Sequence, residues 1–528
     1  MGGGPGGLFF ATLMRRADPS AEVTVFERNR ADDTFGFGVV FSDRTLAGID
    51  AADPLLREAL AAHGRHWEEI EVRLKSQRIR CGGNGMAAIA RRTLLALMRA
   101  RAGDVGADLR FSAGVTLDDL ADYDLVVAAD GTGSRIREQL AERHGETLGA
   151  EVETAAAKFI WFGTDYLFDG LTFVHERGPD GVFAVHGYPY SQDASTFIVE
   201  TDEESWRRAG LDEFDTGQPP GRSDLISKEY LEKLFAEQIE GHRLLVNNSR
   251  WGSFRTRRTR RWHTLAPRPV VLLGDAVHTA HFSVGSGTKM AMEDAVALSA
   301  ALAGHPGDLA AALAAYEAAA QPPVRKIQDS ARPSLSWWEH FGSYHDAFEP
   351  WQFAYHFFTR SMADARLARR APGFVAASHR AWVSAHGAEP LLTPFASRGW
   401  SVPGRVVDLD TLVPPLASEV PGDGQWGALV EAPDSEAGLP AATGKLAALA
   451  AAGAGLAGAG AGLVLAAVHG GTPLTRVLLC EHARLRVGLP ALLIDPGLDR
   501  DTAVTTVLSG RADLVGVPAG VAAAWGQR

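Results

Sequence analysis

Three glycine-bearing stretches carry the chemistry legible in this chain. The longest is Leu272-Leu273-Gly274-Asp275-Ala276-Val277-His278-Thr279-Ala280-His281-Phe282-Ser283-Val284-Gly285-Ser286-Gly287-Thr288-Lys289-Met290. It reads as an apolar strand over 270–273, a Gly274-Asp275 turn, a glycine-punctuated loop and a helix over 290–302. The Asp275 carboxylate can bind sugar-like hydroxyls, and the N–H row around Gly285, Ser286 and Gly287 suits an electron-rich ring or an anion. Alone, an Asp beside a Gly is more often a turn residue. At the N-terminus, Gly2-Gly3-Gly4-Pro5-Gly6-Gly7 fits G-x-G-x-x-G and opens an apolar helix over 8–14. A strand over 22–26 then ends in Glu27-Arg28. Gly2, Gly4 and Gly7 would let backbone approach a pyrophosphate, and an acid about 20 residues on would take ribose hydroxyls. The strand that normally precedes these glycines has no counterpart after Met1, so a weaker hold on the dinucleotide is expected. The third stretch is Asp124-Leu125-Val126-Val127-Ala128-Ala129-Asp130-Gly131-Thr132-Gly133-Ser134-Arg135-Ile136-Arg137. It reads as a buried strand, an Asp130-Gly131 turn and a helix start with Ser134 and Arg137.

The elements that must position these loops follow from length and periodicity. A chain of 528 residues exceeds one core, so two or three domains are expected. Apolar and polar residues alternate over 159–162, 171–174, 182–185 and 196–200, which predicts an antiparallel sheet between two halves of a nucleotide-binding domain. The uncharged segment 446–468 is long enough to cross a bilayer. It consists mostly of Ala and Gly, including Gly453, Gly455, Gly458, Gly460 and Gly462, and reads instead as a helix, a glycine turn and a strand over 463–468. Cys81 and Cys480 are the two cysteines; they lack metal-site spacing and suggest a reducing, cytoplasmic compartment without a disulfide scaffold. A net charge of −12 argues against nucleic acid as a partner. His278 and His281 lie without a supporting ligand set, so no metal is expected and loop packing or a hydrogen bond beside a bound cofactor is the favoured role.

Together the three glycine stretches resemble the FAD-binding fold of single-component aromatic hydroxylases, the family that includes p-hydroxybenzoate hydroxylase. The resemblance implies an α/β fold: a Rossmann-like FAD-binding domain of that type in two segments (1–150 and 251–325) with an inserted antiparallel β substrate domain (151–250). A helical segment (326–390) and a small C-terminal α/β remnant (391–528) would follow. Glu27 would touch ribose, Arg91 pyrophosphate and Asp275 ribitol, with Arg28, Asp130, Gly131 and Gly274 completing the cofactor site. Arg91 is placed by Ile89-Ala90-Arg91-Arg92-Thr93-Leu94-Leu95, where Arg92 is a close competitor.

Finer blocks narrow the likeness: Phe35-Gly36-Phe37-Gly38-Val39-Val40-Phe41-Ser42-Asp43, Lys158-Phe159-Ile160-Trp161-Phe162-Gly163-Thr164, His186-Gly187-Tyr188 and Ser195-Thr196-Phe197-Ile198-Val199-Glu200. With 274–298, Phe353-Ala354 and Thr359-Arg360-Ser361, they look like the monooxygenase half of salicylyl-CoA 5-hydroxylase and of 2-aminobenzoyl-CoA monooxygenase/reductase. The violacein-pathway tryptophan hydroxylase is similar more distantly. The resemblance covers residues 1 to about 385. It implies NADPH or NADH as reductant, O2 as co-substrate, and an aromatic substrate carried on CoA or a carrier protein. The sheet would roof the substrate pocket, with Phe37, Trp161, His186 and Tyr188 as wall residues that could equally be core packing. Asp275, Ser283, Gly285 and Gly287 would position the flavin, and no obligatory acid or base stands out. Arg255, Arg257, Arg258, Arg260 and Arg261 could grip CoA phosphates or an acidic carrier, or simply form a solvated strand. A free tryptophan, indole or phenol as substrate, or a non-catalytic flavoprotein or scaffold, remain the alternatives.

The last section changes character. Leu391-Leu392-Thr393-Pro394-Phe395 and Gly404-Arg405-Val406-Val407 look like the start of an old-yellow-enzyme-type reductase, and Arg486-Val487-Gly488-Leu489-Pro490 with Gly510-Arg511-Ala512-Asp513-Leu514-Val515 like its end. Such a barrel needs about 250 residues, more than remain after 391. Val517-Pro518 stands where relatives carry an arginine for the FMN phosphate, and the catalytic His pair has no counterpart. No FMN and no reductase activity are expected there, which leaves a docking or homodimer surface.

Overall fold

The computed structural model describes residues 1–528 apart from 43–45, 146, 215–220, 413, 422–423, 455–461 and 527–528. Asp43, Gly455, Gly458 and Gly460, named above, therefore lie outside the described residues. The chain divides into two compact units, Met1–Gly342 and Ser343–Arg528.

The nucleotide side of the first unit is built from short parallel ladders. Thr24–Phe26 pairs with Asp108–Arg110, and Val126–Ala128 with Val270–Leu272. The backbone of Met1 and Gly2 lies between these ladders. The Met1 amine donates to the Val127 carbonyl at 2.7 Å, Ala129 N–H donates to Met1, and Gly2 N–H donates to Phe26. Two residues thus occupy the place the sequence reading assigned to a missing strand. Helices Pro5–Ala17, Arg91–Asp104 and Gly287–Gly304 cover the ladders, burying Leu8, Phe9, Leu94 and Leu298 completely. The fully buried Asp53 ties these layers together, accepting from Arg101 at 3.1 Å and from Arg16.

The predicted antiparallel sheet is present and larger than its span in sequence. Ala150–Thr164, Ser195–Thr201, Gly181–Pro189 and Leu171–Gly178 form its centre. Ile70–Leu74 joins it in parallel with Gln77–Cys81 outside it, and Gly252–Thr259 lines the first half of the long Ala150–Thr164 strand. Alternation gives the sheet two unlike faces. Ile160, Phe162, Val174, Phe183, Val185, Phe197 and Val199 point back onto Leu231 and Phe235, all at most 1 % exposed. The opposite, front face carries Phe159, Trp161, Phe173, His186, Tyr188, Ile198 and Glu200, by the strand register.

The second unit contains a six-stranded, wholly parallel sheet. Across it run Val406–Asp408, Leu514–Val517, Ala491–Ile494, Gly462–His469, Gln425–Glu431 and Leu416–Ala417. Every strand but the first neighbours its successor in the chain, and the first pairs with the last. That is the winding of a β/α barrel opened once and two strands short of eight. Gly462–His469 is a continuous buried apolar run, as a strand covered on both faces must be. Helices Leu439–Ala454 and Pro473–His482 cover one face. Trp400, from the hairpin Phe395–Ser397/Trp400–Val402, fills the other against Val464, Leu465 and Leu514. Of the segment 446–468, residues 446–454 lie in that helix and 462–468 in that strand, and no described helix is long and apolar enough to cross a membrane.

Candidate flavin site and the sheet face beside it

The three fingerprint glycines divide the work by sterics. Gly2 has φ +104°, and a Cβ there would meet the Ala129 carbonyl oxygen at 2.2 Å. A Cβ on Gly7 would meet Gly2 O at 2.1 Å, so the third glycine lets the helix pack on the loop. Gly4 has nothing within 4 Å of its Cβ position, which leaves clear the space before the helix Pro5–Ala17. Gly4 is the N-cap, and no side chain satisfies the free N–H groups of the first turn. A diphosphate fits that space.

Beside it, Glu27 is held rigidly. Its Oε2 accepts from Gly3 N–H at 2.7 Å, and its Oε1 accepts from the Asn29 backbone at 2.8 Å and side chain at 2.7 Å. A pocket opens between Gly2, Gly4, Glu27, Arg28, Asp130 and Gly131, and Asn29 and Arg135 also line it. Ser134 caps the next helix, accepting from Arg137 N–H at 3.2 Å. The Arg137 guanidinium donates to Thr132 O at 2.8 Å and Ala276 O at 2.6 Å, stapling the Asp130-Gly131 loop to the Gly274-Asp275 turn.

Further along, the two competing arginines point to different surroundings. Arg91 heads its helix and faces Asp275 and Tyr188, while Arg92 is exposed on the side of Asp32. Burial lowers the Arg91 pKa and Asp275 opposes that shift. Asp275 is solvent-exposed, yet the protein around it desolvates the carboxyl and raises its pKa, against His278 and Arg91 and with help from Asp294. His278 lies behind this turn, its Nε2 2.7 Å from Asp294 Oδ2, which also accepts Gly274 N–H at 2.9 Å. Burial works against the His278 charge, but Asp294 and Asp275 outweigh it and raise its pKa. The loop then reaches Gly285, with φ +61°, and Ser286 and Gly287 at the start of the helix Gly287–Gly304.

Two buried oxygens along this track, Asp130 Oδ1 and Ser286 Oγ, have no hydrogen-bond partner among the described residues. Leaving such atoms unpaired costs about 1–3 kcal/mol each. With the open face of Gly4, they are sites left for the polar groups of a bound ligand, as FAD would supply. Gly2, Gly4, Glu27, Arg28, Asp130 and Gly131 line the pocket, Gly7 packs behind it on Gly2, and Arg91, Gly274, Asp275, Gly285, Ser286 and Gly287 lie on the helix starts and loops just described.

The sheet front supplies an aromatic wall. Phe37 rests on Gly163, whose Cβ would meet the ring at 2.6 Å, and Gly38 N–H donates to Thr196 Oγ1 at 3.1 Å. Tyr188 Oη donates to Gly38 O at 3.1 Å. Phe282, from the glycine loop, sits among Phe159, Trp161, His186 and Phe254 at centroid distances of 5.0–6.0 Å. The buried Trp161 Nε1 has no acceptor among the described residues. Trp161, His186 and Tyr188 thus share one face with Phe37 against it.

Arg255 and Arg257 lie apart from that wall, on Gly252–Thr259. Arg258 pairs with Asp329 at 3.0 Å and Arg260 with Glu151 at 3.7 Å. Among the described residues the Arg255 and Arg257 side chains have neither ion pair nor hydrogen bond. Burial lowers the Arg257 pKa, Arg137 and Arg255 lower it further, and Glu138 opposes them.

The sequence reading assigned no role to Glu200, Asp294, Ser334, Asn29 or Arg135. Glu200 had one signal, a carboxylate at the front-facing phase of an alternating strand. The carboxylate partners of His278 and His281 come from 16 and 81 residues away, beyond any local motif. Among the described residues no cluster of His, Cys, Asp and Glu could hold a metal.

An FAD cradle opening beside an aromatic sheet face defines a flavoprotein monooxygenase. Comparison with known proteins agrees. Residues 120–331 match the family model described as FAD binding domain, a span that includes both acidic turns and the substrate sheet. The chain is 54% identical to a salicyloyl-CoA 5-hydroxylase from Streptomyces sp over 98% of both chains, so the alignment extends into the second unit. It is 38% identical to 3-hydroxy-4-methyl-anthranilyl-[aryl-carrier protein] 5-monooxygenase of Streptosporangium sibiricum, over 64% of this chain and 87% of that one. The solved structure of 2-methyl-3-hydroxypyridine-5-carboxylic acid oxygenase superposes with a TM-score of 0.50 at 18% identity, over 68% of this chain and 96% of that one, and shows the shared fold. The chain belongs to the FAD-dependent aromatic hydroxylases, a family of oxidoreductases using NAD(P)H and O2.

Proposed function

We propose that this chain hydroxylates an electron-rich aromatic ring carried as a thioester on coenzyme A or a carrier arm, with salicyl or anthraniloyl as the acyl group. The observation that carries this reading is the end-to-end identity with the Streptomyces salicyloyl-CoA 5-hydroxylase. The carrier-protein relative supports it from a second direction.

FAD, when bound, supplies the redox and oxygen-activating chemistry. The residues of the chain hold and orient. The N–H groups behind Gly4 and the Arg91 guanidinium offset the diphosphate charge. Glu27 and Asp275 take hydroxyls at the two ends. The N–H groups of Gly285, Ser286 and Gly287, at a helix start, favour negative charge on the ring's polar edge. Phe159, Trp161, Phe254 and Phe282 enclose the reacting ring and exclude water, which keeps the activated oxygen from being lost as H2O2. Arg255 and Arg257 are read as anchors for phosphates of the thioester arm, because they are charged, adjacent and unpaired while Arg258 and Arg260 are not. The second unit is read as a docking or homodimer surface without a flavin of its own, and the two free, buried cysteines fit the cytoplasm.

The test is NAD(P)H oxidation by the FAD-loaded protein with salicyl-CoA or anthraniloyl-CoA beside the free acids, with H2O2 quantified. Thioester-dependent oxidation with hydroxylated product and little peroxide is expected. A response confined to free tryptophan or a free phenol would overturn the thioester reading and leave the hydroxylase class standing. Replacing Arg255 and Arg257 together by Ala raises KM for the CoA ester, with kcat little changed.

A further inference from the structure

Five polar side chains, two of them (His186 and Ser283) already named beside the substrate wall and the flavin loop, form an unbroken chain through the front of the sheet. His186 Nε2 lies 2.7 Å from Glu200 Oε2, and Glu200 Oε1 lies 3.1 Å from His281 Nε2. His281 Nδ1 is 2.8 Å from Ser283 Oγ, which is 2.9 Å from Ser334 Oγ on the helix Leu309–Ala347. Glu200, His186, His281 and Ser334 are at most 3 % exposed, and Ser283 is only partly covered. Ser283 directly follows Phe282, which touches the aromatic wall, and precedes Gly285–Gly287, so the chain ends where the aromatic ring and the flavin loop meet.

The surroundings of this chain are almost wholly aromatic. Trp338 and Phe173 pack on His186, and Phe254 and Phe282 on His281. The charged or titratable partners acting on Glu200 are His281 and His186, which hold its carboxyl down at about 2 against the effect of burial. With both imidazoles neutral the trio carries one negative charge in an apolar wall. One added proton makes it neutral. Buried charge is costly unless paired, so a proton arriving on an imidazole of the trio is stabilised beside the Glu200 carboxylate. The distances also fix the tautomers: His281 donates from Nε2 to Glu200, which leaves Nδ1 to accept from Ser283.

We propose that Ser283, His281 and Glu200 form the route by which the hydroxyl of a bound hydroxyaryl thioester loses its proton. The substrate O–H bond breaks as Ser283 Oγ takes that proton, and the Ser283 proton passes to His281 Nδ1. A phenolate and a His281 imidazolium paired with Glu200 result, with no proton gained or lost overall. Phenolate oxygen makes the ring carbons ortho and para to it electron-rich, which is what hydroxylation requires. Ser283 touches the substrate. His281 and Glu200 act through it, and His186 and Ser334 are positioning residues that hold Glu200 and Ser283.

The inference rests on the thioester substrate proposed above, and its test separates the two. Salicyl-CoA is added to the FAD-loaded protein without NAD(P)H. Binding is followed by flavin fluorescence, and ionisation of the bound phenol by difference absorbance against pH. The parent protein is expected to bind and to lower the phenol pKa by about one unit or more, a ten-fold gain in the phenolate-to-phenol ratio. Ser283→Ala, which removes one partly exposed oxygen, should bind similarly but lose that shift. It should also lose kcat with rising H2O2, and recover as pH rises, while Ser283→Thr keeps the hydroxyl and the shift. Glu200→Gln should behave as Ser283→Ala does. Ser283→Ala with bound salicyl-CoA and an unchanged phenolate titration would overturn the relay and leave the substrate reading intact. A parent protein that does not bind salicyl-CoA would overturn both.

Discussion

Gly4→Ala separates folding from cofactor binding. Gly4 has φ −79° and ψ 179°, extended backbone that alanine adopts freely, and nothing lies within 4 Å of the position its Cβ would take. The fold therefore loses only an N-cap preference, about 1 kcal/mol or less, which lowers Tm of the flavin-free protein by a few degrees at most. The methyl group would stand in the space through which a diphosphate reaches the N–H groups of the helix Pro5–Ala17. Each charge-assisted hydrogen bond lost there contributes about 1.5–3 kcal/mol, so FAD should bind roughly 10- to 150-fold more weakly. Gly7→Ala is the contrast. Its Cβ would lie 2.1 Å from the Gly2 carbonyl, backbone against backbone, so stability and FAD binding fall together. The assay is FAD fluorescence quenching on flavin-free protein, beside thermal unfolding without FAD. A Gly4→Ala protein that melts normally and binds FAD with unchanged affinity would refute this use of the glycine loop.

Asp275→Asn should pull stability and binding in opposite directions. Desolvation raises the Asp275 pKa, so its ionised form penalises the flavin-free fold at pH values above the native pKa; the side chain is exposed, so solvent keeps that penalty small, and it vanishes below the unfolded carboxylate value of about 3.9. The neutral amide then raises Tm at neutral pH, by an amount that shrinks as pH falls, while FAD affinity drops; both are read by thermal unfolding and flavin titration. Asp53→Ala strips Arg101 and Arg16 of their shared partner and Leu55 N–H of its acceptor at 2.9 Å. Fully buried pairs cost about 3–5 kcal/mol to break. The two arginines are 37% and 44% exposed, so a loss of about 1–3 kcal/mol is expected in denaturant unfolding. Burial pushes the Cys480 thiol up and Cys81 is 1 % exposed, so neither should react with a thiol reagent until the chain is unfolded.

The parts legible in sequence were those whose cause is local. Gly2, Gly4 and Gly7 announce a turn, an open approach and a close packing because only glycine tolerates all three. Ser134 announces a helix start, and alternation over 159–200 announces a sheet. Arg91 could be separated from Arg92 only once a helix start fixed their directions, toward Asp275 in one case and Asp32 in the other. The carboxylate partners of the two loop histidines were hidden for a different reason. Asp294 and Glu200 meet His278 and His281 through tertiary packing, and nothing in a linear motif encodes a contact across 81 residues. Likewise, the substrate sheet recruits Ile70–Leu74 and Gln77–Cys81 from a distant segment, which no local alternation could signal.

The winding of the C-terminal sheet has a consequence for biosynthesis. The strand Val406–Asp408 finds its partner in Leu514–Val517, the last strand made, at the opposite end of the unit's chain. The Leu514–Val517 strand is fully buried between it and Ala491–Ile494. Strands that follow one another can pair as they emerge, but the first must wait for more than a hundred residues of synthesis. Until residue 517 has cleared the ribosome, the growing unit exposes two raw sheet edges and the apolar bed beneath Trp400. Nascent chains stalled or cleaved within that interval are therefore the species on which chaperones and proteases should act.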